Sequence, residues 1–114
     1  YANAFGWMDP QVQNLTKEIF KKFREKKLSL YYIFADSVKT KGKDLLKNFL
    51  GDYRFLPKKY PMHAATDIFG DYIATFTNLP WVSVKNVTIY VLKDSRLAYS
   101  YRAWFGFMFS HCKK

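Results

Sequence analysis

Two histidines and one cysteine are the residues of this chain with the widest chemical repertoire. His63 opens the apolar run "HAATDIF", which turns at Gly70-Asp71 and continues as "YIATFT". A histidine there could act as nucleophile or base, given a partner to orient it and a pocket to hold substrate. Phosphoryl transfer also needs a cation to hold the charge of the transferred group. Two residues beyond His63 stands Ala65, and no lysine is there to supply it. His111 and Cys112 are adjacent but lie far from His63, with no second ligand pair at finger-like spacing. No glycine-rich phosphate loop and no serine-histidine-acid set can be assembled. The residues therefore predict a protein that is not an enzyme and holds neither metal nor cofactor.

Binding is the better-supported chemistry. A sensor pocket combines apolar walls with a few convergent polar groups. The candidates are Asp36 and Ser37 at a strand end, Arg54 on a short strand, His63 and Asp67 on the hairpin, and Trp81 in a loop. Each has a structural alternative. Asp36-Ser37 can cap a helix, Arg54 can be a surface cation, and His63 can be a core residue bonded to a backbone carbonyl. Trp81 can stack on a sugar ring or cover a sheet edge.

The elements that must position these residues follow from spacing. Asp9-Pro10 starts a helix, and Val12, Leu15, Ile19 and Phe23 recur at helical intervals up to Lys26-Lys27. "LSLYYIFAD" (28–36) is a buried strand expected to run parallel to a neighbour, with Asp36-Ser37 at its C-terminal end, where ligands of open α/β sheets tend to bind. "KGKDLLKNFLG" (41–51) is a second helix with Leu45, Leu46, Phe49 and Leu50 on its apolar side. "YRFL" (53–56) is a short strand. The segments flanking Gly70-Asp71 form a hairpin, residues 78–85 a loop and "NVTIYVL" (86–92) a strand. Asp94-Ser95 caps a last helix through Cys112, with Leu97, Tyr101, Trp104, Phe105 and Met108 on one face. Phe107 and Phe109 extend its apolar surface, so Tyr101, Trp104, Phe105 and Met108 are candidates for a dimer contact. The order predicts one α/β domain over residues 1–114, a layered mixed sheet with flanking helices.

With 114 residues, 49% hydrophobic and 20% aromatic, the chain can fill one core. No apolar run approaches the roughly 20 residues that span a bilayer, so no membrane partner is expected. A lone cysteine fits a reducing, cytoplasmic setting. The net charge of +10 attracts anions at long range, but the lysines are dispersed along the chain and read as a solvated surface. The triplets Asn14-Leu-Thr16 and Asn86-Val-Thr88 match the glycosylation pattern and carry little weight.

"YRFLPKKYPMHAATDIFGDYIATFT" followed by "IYVLKDSRLAYSYRAWFGFMFSHCK" resembles the C-terminal effector domain of TrmB-type transcriptional regulators. The likeness spans about 52–113: an Arg-Phe-hydrophobic-Pro-Lys strand and loop, a Gly-Asp hairpin, then a strand and a helix in which Arg102, Phe105 and Phe109 match. The first half matches only in element order, and Cys112 stands where a Trp-rich ending is usual. The resemblance implies a phospholipase D-like half-domain without its catalytic motif. Active phosphodiesterases of that superfamily carry His-x-Lys-x-x-x-x-Asp, whereas here Ala65 and Gly70 occupy the lysine and aspartate positions. It further implies a small-molecule effector, a sugar among the candidates, a homodimer, and DNA contact only through a separate winged-helix domain, which this chain does not contain. Two other readings remain: a basic nucleic-acid-binding domain, and a degenerate phosphodiesterase completed by a second chain.

Overall fold

The computed structural model describes residues 17–18, 21–47, 49–60, 64–77 and 88–114. Residues 17–18 and 21–25 are helical, as the apolar spacing predicts; the start expected at Asp9-Pro10 lies outside the described residues. The helix closes at Lys27, which takes a positive φ of 55°. There the Leu28 amide donates to the Phe23 carbonyl and the Lys27 amide to that of Arg24, a Schellman closure in which a lysine replaces the usual glycine.

Strand β1 (Tyr31–Phe34) pairs in parallel with β2 (Asp52–Phe55), as expected of a strand preceded by a helix. Between them lie two short helices, α1 (Val38–Lys41) and α2 (Lys43–Lys47), broken at Gly42, where one helix was expected from Lys41. This crossover buries one face of the pair. Phe34 is fully buried with Val38 and Phe55, and Leu45, Leu46 and Phe49 pack around them. Tyr32, Phe34, Phe49, Tyr53 and Phe55 form a continuous aromatic cluster in which Phe49 meets Tyr32 and Phe34 edge-on at 4.7 and 5.2 Å. Such geometry favours aromatic pairs beyond their area burial.

Gly51 makes the return into β2. Its φ is +117°, and a Cβ there would overlap the Leu30 carbonyl, which accepts the Asp52 amide at 2.9 Å. Gly51→Ala should therefore cost about 1–3 kcal/mol through backbone strain and lost close approach. A urea titration checks it, and an unchanged midpoint would contradict this placement.

Strands β3 (Ala65–Phe69), β4 (Tyr72–Thr77) and β5 (Thr88–Lys93) make an antiparallel meander in that order. Gly70 turns the first hairpin with φ +57°, and Asp71 follows at negative φ, the pattern of a type II′ turn with glycine first. The strands thus fall into two sheets, one parallel and one antiparallel, where a single mixed sheet was expected; the α/β class with flanking helices holds. Pairing register assigns the two faces of the meander. Thr66, Ile68, Ile73, Thr75, Tyr90 and Leu92 share one; Ala65, Asp67, Phe69, Tyr72, Ala74 and Val91 share the other.

Helix α3 (Ser95–His111) starts at Asp94, whose carboxylate accepts the Arg96 and Leu97 amides at 2.9 and 3.0 Å. Those two amides hold the Asp94 carboxyl below its ordinary range. A depressed carboxyl stabilises the fold above its unfolded value and loses that contribution as pH falls through its folded value. Asp94→Ala should lower the melting temperature at pH 7 and make no difference at the acid end of a pH series. α3 then crosses both sheets. Tyr101, Phe105 and Met108 line a groove with Thr66 and Ile68 of the meander. Further along, Phe109 sits between Tyr31, edge-on at 5.8 Å, and the Arg54 guanidinium at 4.6 Å, on the side of β1–β2 away from the crossover. Beyond the helix, the Phe55 amide donates to the Lys113 carbonyl at 2.8 Å and ties the chain end to β2.

Candidate functional site

Among the described residues the strands of the two sheets do not pair with each other, and a cavity of about 380 Å³ opens where β1 meets β3 under α3. Ser29, Leu30, Tyr31 and Tyr32 line it from the N-terminal side of β1, Thr66 to Phe69 from β3, Arg102 and Phe105 from α3, and Phe23 from the first helix. Aromatic rings form much of the wall, and the polar groups come from different elements. That is the composition expected of a small-molecule pocket, and the volume falls at the low end of the usual range.

Asp67 is the central polar group. It lies half-buried on β3, and burial pushes its carboxyl above the ordinary range. Among the described residues, none donates a hydrogen bond to it or pairs with it as an ion. Beside it, burial raises the Tyr32 phenol, and the Asp67 charge raises it further. A carboxyl beside a phenol suits a polar ligand, since the carboxylate accepts hydrogen bonds and the phenol can donate as well as accept. Arg102 is anchored at the other end of β3, where its Nη1 donates to the Gly70 carbonyl at 2.5 Å. That bond pins α3 to the hairpin turn while the guanidinium lines the cavity.

The other expected ligand residues lie elsewhere. Asp36 and Ser37 stand at the opposite end of β1 from the cavity, where Asp36 pairs with Lys39 at 2.9 Å and the Ser37 carbonyl receives the Thr40 hydroxyl and the Lys41 amide. Ser37 occupies the cap position of α1 without a side-chain cap bond. Arg54 donates to Asp52 at 2.7 Å and to the Tyr53 carbonyl at 2.8 Å while covering Phe109. His63 and Trp81 lie outside the described residues. Of the four that are described, Asp67 alone lines the cavity. Ser29, Tyr31, Tyr32, Phe69 and Arg102 join it from segments with no polar spacing signal; Arg102 was marked only by its match to the effector-domain helix.

The four residues expected at a dimer contact lie close together. Tyr101, Trp104, Phe105 and Met108 surround an apolar groove of about 360 Å³ with Thr66 and Ile68. Tyr101, Phe105 and Met108 are half-buried against the meander, and Trp104 is exposed. Phe105 lines both cavities.

His111 and Cys112 do not form a reactive pair. The His111 ring bonds the Phe107 carbonyl through Nδ1 at 2.8 Å and packs on the Phe107 ring at 4.3 Å. Burial pushes the Cys112 thiol up, away from the thiolate that would react. Among the described residues no three His, Cys, Asp or Glu side chains gather as a metal site, and no helix is long and apolar enough to cross a membrane. No protein-family model, curated protein or solved structure matches the chain.

Proposed function

We propose that the chain is a non-catalytic effector domain of a TrmB-like transcriptional regulator, with a phospholipase D-like half-domain fold. It senses a small molecule in the cavity between β1 and β3 and forms a homodimer, and a separate winged-helix domain reads DNA. The observation that carries this reading is the cavity itself, with a half-buried Asp67, Tyr32 and Arg102 converging within aromatic walls. The hairpin supports it. β3 follows His63 with Ala65, which is buried and cannot hold a phosphate, so a strand of catalytic outline serves as a pocket wall. An effector that bridges β1 and β3 would link two separate sheets, a route by which occupancy can reach α3.

A thermal-shift screen against sugars, nucleotides and metabolites tests the proposal, because a ligand that binds only the folded state raises the melting temperature by mass action. The same screen includes short duplex DNA at low and high salt. One saturable small-molecule shift is expected. A shift from DNA alone, lost at high salt through counterion release, would replace this reading with direct nucleic-acid binding, which the net charge of +10 would then explain.

A further inference from the structure

We infer that the homodimer forms through the outer edge of β5, joining two meanders into one six-stranded antiparallel sheet. The inference rests on the reading of this domain as a dimer and assigns its surface. β5 ends the strand order, and among the described residues no strand pairs with its outer edge. Its four central residues are all apolar and stay exposed on both faces: Ile89 54%, Tyr90 58%, Val91 59% and Leu92 49%. Terminal strands of monomers are ordinarily protected by charge, proline or a bulge, and "TIYVLK" carries only Lys93, at its end.

The occupant follows from charge and symmetry. A chain of net charge +10 repels its copy, so self-association favours a stretch with few cations, and β5 carries only Lys93 among its six residues. Antiparallel pairing of identical strands places a two-fold axis perpendicular to the sheet, and residues of the same face then lie opposite. With the axis at Val91, Val91 faces its own copy, Tyr90 faces the second copy's Leu92, and Ile89 faces the aliphatic stem of the second copy's Lys93. The two Lys93 positions then lie about 14 Å apart along the strands, beyond the screening length of roughly 8 Å at physiological salt. α3 offers a poorer surface. Tyr101, Phe105 and Met108 already face the meander, which leaves Tyr99, Trp104 and Phe107 exposed.

Sedimentation of the chain across a concentration series, at low and high salt, tests the assignment. The dimer should strengthen with salt as the net charge is screened, opposite in sign to DNA binding. Val91→Lys sets two ammonium groups against each other on the axis and should weaken the dimer at least tenfold. Tyr99→Lys should leave it unchanged. If Val91→Lys does not fold, Tyr90→Thr, which keeps strand propensity, serves in its place with a smaller loss expected. A monomer at every salt, or a dimer that survives the β5 variants, overturns the inference. A dimer lost with Tyr99→Lys instead moves the contact to α3 and also overturns it. In the last two cases the proposed effector function stands, because ligand binding is scored separately by thermal shift.

Discussion

Phe34→Ala should cost about 3–5 kcal/mol, the range for removing a fully buried aromatic ring from a core. Its side chain is 0% exposed and touches Tyr32, Phe49, Tyr53 and Phe55 from the C-terminal end of β1. A domain of this size holds on the order of 5–15 kcal/mol in total, so the variant should sit close to its unfolding threshold at 25 °C. The loss reaches the site because the first half of β1 and the two residues before it, Ser29 to Tyr32, line the cavity. Phe34→Leu, which fills most of the volume, should cost less than half as much. Urea titrations followed by far-UV circular dichroism would show both. Equal midpoints for wild type and Phe34→Ala would mean that the aromatic cluster is not the core of this half of the protein.

The second large effect is expected at Asp67, and it has two signs. A carboxyl raised by burial destabilises the fold only when it must ionise there. The penalty is absent below the unfolded carboxyl range near pH 4, where both states hold the proton, and grows as pH rises through the folded value. Asp67→Asn removes the charge and keeps the shape, so it should raise the melting temperature at pH 7 and lose that advantage in acid. The same substitution takes away the pocket's carboxyl. Binding of a ligand that hydrogen-bonds to it should fall roughly tenfold or more, as for loss of a charge-assisted contact. Gain of stability with loss of binding is the behaviour of a group kept for function. Lower stability at pH 7 would show that Asp67 instead has a structural partner.

The elements were legible where one local signal sufficed. Gly70-Asp71 between alternating segments located the hairpin, and Asp94-Ser95 located the start of α3, because the turn and the cap each depend on the residues at that point. The helix expected over 41–51 divides at Gly42, since the chain begins helix earlier, at Val38, to bury that side chain against Phe34. The site was less legible. Arg54 stood out as a cation on a strand, but Asp52, two residues away on the same face, and Phe109, fifty-five residues on, hold it. Ser29, Tyr32 and Arg102 are brought to Asp67 by the way α3 lies across both sheets, and no periodicity within a segment encodes that. The exposure of β5 was hidden for the same reason. Its run of four apolar residues suits a buried strand, and only the strand order places it at an edge.

The most direct test of the central claim is a two-dimensional amide NMR titration of the chain with the compound that shifts its melting temperature. The account predicts saturable shift changes at Ser29 to Tyr32, Thr66 to Phe69 and around Arg102 and Phe105, abolished by Asp67→Asn. Saturable changes confined to other surfaces, with the β1–β3 cavity silent, would contradict it.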